Sequence, residues 1–298
     1  MKVVQLKANR ARELLDFLSK YEETCVALVS EILQGARFVF VIEDNSNFIR
    51  GAFSFLKGAF IHHCFPDLLN ATTEENKNQR AELKSALSRF FKSRRTAKYL
   101  FNVTGEKSGT DLLGEIAEGE FQRKIMHTQN YFLMTLEDQN TLLFSEGENE
   151  NETKNARFRL CEASEIDETL LLQIAYEKEE VIFENIIFDE NLCRANLENL
   201  VEAQAVYLVE LNGQIVAKAS ISSRGKKCAQ IGGVFTKTRF RQKGLARFLM
   251  KNLIQKLKSE NQKPVLFVKP ENRAAMNLYD SCGFKKVCDF KSIYLSSK

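Results

Sequence analysis

The pattern of apolar and polar residues predicts a regular series of helices and strands in the first half of the chain. Residues 10–34 carry apolar side chains at helical spacing, over the length of one long helix. Strand-like runs at 38–42 and 48–56 flank the turn sequence DNSN. Five later elements follow from the same reasoning: a strand at 59–64, a helix within 73–93, a strand at 99–103, a helix at 109–117 and a strand at 131–136.

The second half repeats that order with stronger signals. Asn212-Gly213, a dipeptide that favours type I′ turns, predicts a hairpin of strands 205–211 and 214–222. Leucines at four-residue spacing predict a helix over 245–258, and Gly283 marks the end of another over 272–282. The other predicted elements are a strand at 158–161, helices at 169–180 and 191–202, and strands at 229–236, 264–268 and 287–294.

A polar, acidic segment, SEGENENETK at 145–154, separates the two halves and contains no apolar anchor. A chain of 298 residues suits two domains better than one. We therefore predict an N-terminal domain over 1–144, a linker over 145–154 and a C-terminal domain over 155–298.

Composition narrows the class of protein. With 44% hydrophobic and 28% charged residues, the chain resembles ordinary globular proteins. The net charge of +4 comes without a dense basic run, which argues against a nucleic-acid partner. No apolar run reaches the roughly 20 residues of a membrane span, so no membrane association is expected. Seven scattered cysteines and three histidines show no zinc spacing, which predicts no metal and a reducing, cytoplasmic setting.

A basic, glycine-containing turn lies between the strand at 229–236 and the helix at 245–258. Backbone N–H groups at a helix start lack intrahelical partners and face an anion at the positive end of the helix dipole. Gly244 lets the backbone approach a phosphate closely. The alternative is an ordinary turn with solvated basic residues. The candidate phosphate-binding residues are Arg241, Gln242, Lys243, Gly244, Leu245, Ala246 and Arg247.

Three linked segments of the second half resemble the GNAT superfamily of acetyl-CoA-dependent N-acetyltransferases. IGGVFTKTRFRQKGLARFLM resembles the family's acetyl-CoA strand, pyrophosphate loop and following helix. PVLFVKPEN resembles the strand that separates from the first, and NRAAMNLYDSCGF resembles the last helix with its closing Gly-Phe. The resemblance extends over 155–298 and is strongest from 229 to 285.

The resemblance implies an α+β fold of two tandem GNAT-like domains, each a mixed, mostly antiparallel twisted sheet flanked by helices. In the first half, the junction FPDLLNATTEENKNQ is acidic and polar, so it would repel phosphate. We therefore expect 1–144 to be a degenerate GNAT-like domain that shapes the acceptor site. One molecule of acetyl-CoA is expected per chain.

The resemblance also implies how acetyl-CoA binds. Val234, Phe235 and Thr236 would offer backbone groups to the pantetheine arm, and one N–H there would polarise the thioester carbonyl. Gly232-Gly233, inside the same strand, indicates a bulge or a close approach by another group. Asn272 would contact the cofactor arm, although Asn at a helix start also serves as an N-cap.

Tyr279 is the candidate catalytic residue, because the family's Tyr at this place protonates the departing thiolate of CoA. A phenol, with a pKa of about 10, is a suitable acid for a thiolate formed in a dry site. The alternative is a core Tyr whose hydroxyl is satisfied within the protein. A cysteine nucleophile at Cys228 or Cys282 is disfavoured, because all histidines are in the other half.

The general base is left open by the sequence. Some family members that acetylate protein N-termini carry a Glu five residues before the motif Asn, where this chain has Phe267. That departure argues against this base and against that class of substrate. The alternatives are a chain of water molecules or one of four carboxylates: Glu180, Glu184, Glu210 and Glu271.

The predicted function is transfer of an acetyl group from acetyl-CoA to a primary amine, by direct attack in a ternary complex. The acceptor would be a small-molecule amine or a protein amine. A non-catalytic acyl-CoA-binding regulatory or scaffold protein is the alternative, and the sequence does not determine the oligomeric state.

Overall fold

The computed structural model describes residues 1–56, 60–66, 74–94, 102–136, 153–181 and 188–296. Within these ranges the chain folds as a mixed α+β protein, which confirms the predicted fold class. The strands are β1 Lys2–Gln5, β2 Val39–Glu43, β3 Ile49–Leu56, β4 Phe60–Cys64, β5 Asn102–Glu106, β6 Ile125–Leu136, β7 Ala156–Leu160, β8 Val206–Leu211, β9 Gln214–Arg224, β10 Cys228–Thr236, β11 Lys263–Val268 and β12 Phe284–Leu295.

The helices flank this sheet, and their bounds match most of the predicted segments to within a few residues. They are α1 Ala11–Leu18, α2 Val26–Leu33, α3 Glu74–Arg94, α4 Lys107–Phe121, α5 Ile166–Tyr176, α6 Glu190–Glu202, α7 Leu245–Ser259 and α8 Arg273–Ser281. The β8–β9 hairpin is confirmed, with Asn212 and Gly213 at φ of 52° and 78° as a type I′ turn requires.

The prediction of one long helix over 10–34 was wrong, because the chain breaks between α1 and α2. A single 3₁₀ turn, Glu22–Thr24, occupies the break. It places the buried Glu22 carboxylate against the other half of the molecule, where it accepts hydrogen bonds from the backbone N–H groups of Lys227 and Cys228 at 2.6 and 2.9 Å. Apolar spacing does not reveal the break, and the contact that Glu22 makes there is with residues 205 and 206 positions away.

All twelve strands of the described ranges belong to one sheet, in the order β1-β2-β3-β4-β5-β12-β6-β11-β10-β9-β8-β7. β4 with β5 and β10 with β11 are parallel pairs, and the other neighbours are antiparallel. Read from each edge to the centre, the two halves present five strands in equivalent order. Two GNAT-like units therefore share a continuous sheet.

The two halves exchange their last strands at the centre of the sheet. β6, from the first half, pairs with β11, while β12, from the second half, pairs with β5. The cores follow the exchange: Met134 and Leu136 of β6 pack in the hydrophobic cluster beneath α7, and Ile293 and Leu295 of β12 pack in the cluster of the first half. Each half thus completes the sheet and core of the other. The division of the chain at 145–154 remains a prediction, since 145–152 lie outside the described residues.

The exchange predicts that residues 153–298 do not fold as a separate chain. Without β6, the fragment loses the strand between β11 and β12 and three buried side chains, Leu133, Met134 and Leu136. Burial of such a side chain stabilises by about 2 kcal/mol, so the loss is comparable with the whole stability of a domain. We expect the fragment alone to be insoluble and co-expression with 1–144 to restore a soluble complex, as measured by size-exclusion chromatography and circular dichroism. A monomeric, folded fragment would contradict the prediction.

Candidate functional site

A cavity of about 580 Å³ opens where β10 and β11 separate. The ladder between these parallel strands ends at Ile231 and Leu266. Beyond that pair, the end of β10, the start of α7, the end of β11 and α8 enclose the space. The structure brings all the predicted site residues to this cavity except Lys243: the lining includes Val234, Phe235, Thr236, Arg241, Gln242, Gly244, Leu245, Ala246, Arg247, Asn272 and Tyr279.

The glycine pair of β10 forms a bulge at the cavity wall. Gly232 pairs with Ser220 and Phe235 with Lys218, so two residues of β10 oppose one residue of β9. Gly233 has a φ of +58°, which a residue with a side chain rarely adopts. The expected bulge is therefore present, and it interrupts the ladder beside the cavity.

The loop after β10 ends in a helix start that is open to the cavity. Gly244 is the N-cap of α7 in the left-handed region, with φ of 73°, and no side chain caps this end. Phe248 N–H donates to the Gly244 carbonyl as the first intrahelical bond, at 2.9 Å. The N–H groups of Leu245, Ala246 and Arg247 precede that bond and lie at the positive end of the helix dipole.

The basic residues of the loop have different surroundings. The Arg241 guanidinium donates to the Thr236 carbonyl at 3.1 Å and to Glu179 at 2.6 Å, and it lies over the Phe235 ring. Arg241 therefore braces the loop against β10. Lys243 is exposed outside the cavity lining, 5.9 Å from the centre of the Phe240 ring.

Asn272 and Tyr279 lie at the two ends of α8. The Asn272 side chain accepts a hydrogen bond from Ala275 N–H at 3.0 Å, so the residue is the N-cap of the helix. Tyr279 is 7% exposed, lines the cavity, and its ring lies 6.0 Å from that of Phe284. Both residues combine a structural contact with access to the cavity.

Two tyrosines of the cavity were missed by the sequence analysis. Tyr131 belongs to β6, the strand donated by the first half, and Tyr176 ends α5. Burial raises the pKa of Tyr131 well above its ordinary value, so its hydroxyl stays protonated at neutral pH. Only the strand exchange brings Tyr131 here, and no local signal at 125–136 indicates it.

The position five residues before Asn272 forms part of an aromatic wall. Phe267 stacks on Phe290 of β12, with ring centres 4.1 Å apart, and lies 6.2 Å from the Tyr131 ring. A carboxylate in place of Phe267 would be held against these rings. The packing gives a physical reason for the apolar residue at this place.

The four candidate bases differ in their relation to the cavity. Glu271 is exposed beside Asn272, outside the cavity lining, and accepts a hydrogen bond from Gln129 at 3.3 Å. Glu210 instead pairs with Arg159 at 2.9 Å on β8 and is not among the lining residues. Glu184 lies outside the described residues, and the structure does not describe the Glu180 side chain.

The two candidate cysteine nucleophiles, Cys228 and Cys282, are buried thiols outside the cavity lining. Burial raises the pKa of Cys282 to about 11 and that of Cys228 to about 12, which disfavours the nucleophilic thiolate.

Among the described residues, no group of three or more His, Cys, Asp or Glu side chains is placed to hold a metal ion. No helix in the described ranges is both long and apolar enough to cross a bilayer.

The equivalent gap in the first half is filled by protein. The parallel ladder of β4 and β5 ends at His62 and Thr104. The side chain of the next residue, His63, packs onto Gly105 and forms a hydrogen bond with the Thr110 hydroxyl at 2.9 Å. A Cβ at Gly105 would come within 2.2 Å of the His63 ring. Burial lowers the pKa of His63 to about 3, so the ring is neutral. This packing supports the expectation of one cofactor site per chain.

Comparison with known proteins finds a family model over the part of the chain that contains most of the cavity lining. Residues 168–284 match the family model described as the acetyltransferase (GNAT) family. No curated protein matches the sequence.

Several solved structures share the fold along nearly the whole chain. A Drosophila protein aligns with a TM-score of 0.65 at 11% identity, over 99% of this chain and 98% of its own. A GNAT-family acetyltransferase from Colwellia psychrerythraea gives 0.55 at 11% identity over 99% and 100% of the two chains. A GCN5-related N-acetyltransferase from Sphaerobacter thermophilus aligns with a TM-score of 0.56 at 12% identity, over 98% of this chain and 94% of its own. These alignments include the first half, which agrees with a GNAT-like fold there.

Proposed function

Because residues 168–284 form a GNAT acetyltransferase domain, we propose that this protein transfers an acetyl group from acetyl-CoA to a primary amine. The main support for the proposal is that one cavity combines two features. A cavity of about 580 Å³ opens where the ladder between β10 and β11 ends, and the uncapped start of α7 lies at its wall. An anionic, elongated cosubstrate such as acetyl-CoA fits both.

The residues of the cavity fit acetyl-CoA in three parts. The N–H groups of 245–247, with the backbone of Gln242 and Gly244, would hold the pyrophosphate. The interrupted edge of β10 at Val234–Thr236 would bond the pantetheine arm like an added strand. Asn272 at the start of α8 would contact the arm from the opposite wall.

The proposed reaction is direct attack of a neutral amine on the thioester. The amine nitrogen bonds to the carbonyl carbon, the C–S bond breaks and the thiolate of CoA takes a proton from Tyr279. The attacking nitrogen loses its extra proton to Glu271 or to water. The backbone N–H groups at the β10 bulge would stabilise the oxyanion that forms on the thioester carbonyl.

The first half would shape the acceptor side of the cavity. Tyr131 lines the cavity from β6, and Gln129 of the same strand holds Glu271. Through the exchanged strand, the first half thus contributes to the lining of the cavity. We propose the acceptor pocket at this face, with either small-molecule or protein amines as the substrate class.

A binding and turnover experiment tests this function. Titration calorimetry with CoA should give one site per chain, because His63 fills the second gap. Release of thiol from acetyl-CoA should then be measured with a panel of primary amines: alkylamines, amino acids, polyamines, aminoglycosides and a lysine peptide. Absence of CoA binding would refute the proposal, and two equivalent sites would refute the single-site expectation.

A non-catalytic acyl-CoA-binding role is the second candidate. It is favoured by Phe267, which occupies the place of a family base with an aromatic side chain packed on Phe290. CoA binding without thiol release across the whole amine panel would support this role. Thiol release that depends on Tyr279 would exclude it.

A further inference from the structure

Lys218 of β9 is a fully buried cation beside the site. Its side chain is 0% exposed, and its Nζ donates a hydrogen bond to the Gly233 carbonyl at 2.9 Å. The Nζ also lies 5.1 Å from the centre of the Tyr176 ring. Burying a lysine is costly unless its charge is used or compensated, so the position calls for an explanation beyond packing.

The geometry of one peptide connects Lys218 to the cavity. Gly233 lies in the β10 bulge, and the described chain contains no cis peptide bond. In a planar trans peptide, the carbonyl of Gly233 and the N–H of Val234 point in opposite directions. Since the carbonyl points to Lys218 Nζ, the Val234 N–H points away from Lys218, and both Gly233 and Val234 line the cavity.

We propose that Lys218 is a positioning residue for acetyl transfer: by holding the Gly233 carbonyl, it aims the Val234 N–H at the thioester carbonyl in the cavity. This role of Lys218 rests on the proposed function, because it concerns how the oxyanion donor of that reaction is oriented. The ammonium also polarises the shared peptide, which makes the Val234 N–H a stronger donor. Glycine suits position 233 because its φ of +58° strains a residue with a side chain, and a Cβ there would also lie 2.9 Å from Lys218 Nζ.

The surroundings of Lys218 leave its charge sensitive to pH. Burial lowers its pKa to about 8, and the carboxylate of Glu177 opposes that shift. The other titratable groups that face it are Tyr176, Cys161 and Cys193, and burial raises the pKa of both thiols. The ammonium form is therefore present below about pH 8 and is lost as the pH rises through that value.

The carbonyl resonance of bound [1-¹³C]acetyl-CoA tests the proposal without an identified acceptor. In the intact protein we expect the carbonyl ¹³C resonance of bound acetyl-CoA to lie downfield of that of free acetyl-CoA. This displacement in chemical shift should become smaller from pH 7 to pH 9. In Lys218→Met the displacement should disappear, while acetyl-CoA affinity stays within about threefold. Turnover with any amine active in the wild type should fall at least about tenfold. This loss is smaller than the loss from removing an oxyanion donor, because the Val234 N–H remains but is less well oriented.

The matched control is Lys237→Met, which removes a lysine whose Nζ pairs with Glu168 at 3.4 Å instead. It should keep the wild-type resonance and turnover. An unchanged resonance in Lys218→Met would overturn the proposal. Should that variant not fold, a wild-type resonance that is constant between pH 7 and pH 9 would overturn it as well. Failure of the wild type to bind acetyl-CoA would refute the proposed function instead.

Discussion

Replacing Gly244 by Val is expected to weaken CoA binding by roughly a hundredfold while the protein stays folded. Gly244 has φ of 73°, where a β-branched residue is strained, and its Val side chain would project at the uncapped start of α7. The pyrophosphate would lose its bonds to the first N–H groups of the helix. Two charge-assisted bonds at about 1.5 kcal/mol each correspond to roughly a hundredfold in affinity.

Gly213→Val is the matched control for this experiment. Gly213 has a similar φ of +78°, with no atom within 4 Å of a Cβ, in the β8–β9 turn outside the cavity lining. It carries the same backbone strain without the anion site. Calorimetry with CoA should show wild-type affinity for Gly213→Val, and urea unfolding should show similar stability losses for both. Undiminished CoA binding by Gly244→Val would remove the phosphate-loop assignment.

Replacing Tyr279 by Phe is expected to lower turnover by about a hundredfold or more, within the range of general acid catalysis. The change removes only the hydroxyl, and the ring keeps its place beside Phe284. CoA affinity should stay within about threefold, because the phenol is proposed to act on the thiolate that forms during the reaction. Steady-state kinetics with an active amine and calorimetry with CoA measure the two quantities separately.

Tyr207→Phe provides the control for the loss of a buried hydroxyl. Tyr207 packs in the same hydrophobic cluster as Tyr279, stacked on Phe158 at 5.4 Å, but does not line the cavity. Its replacement should leave turnover unchanged. Equal losses of turnover and CoA affinity in Tyr279→Phe would show a structural role for that residue and would contradict the assignment as acid.

The geometry of the proposed phosphate loop could be predicted from sequence because it is local. A strand, a basic turn with Gly244 and an amphipathic helix are consecutive in the chain, so their order alone places N–H groups at a helix start. Asn272 as an N-cap and the bulge at Gly233 were predicted for the same reason, since each depends on neighbours within a few residues.

Contacts between distant segments could not be predicted in this way. Tyr131 reaches the cavity only because β6 crosses into the sheet of the second half, and Glu22 breaks a helix to bond residues near 227. The sequence around Lys218 indicates only an ordinary lysine within a strand. Its burial against the bulge follows from the packing of α5 and α6 over β9.

The sequence by itself determined most of the order of elements, the basic turn before an uncapped helix start and the family that the second half resembles, because short-range spacing encodes each of them. The tertiary structure decided how the two halves combine: one sheet of twelve strands with exchanged last strands, an open gap beside β10 and a gap filled by His63 beside β4. The physical reason is that strand pairing and burial join residues far apart in the chain, and hydrophobic periodicity carries no information about which strand lies next to which.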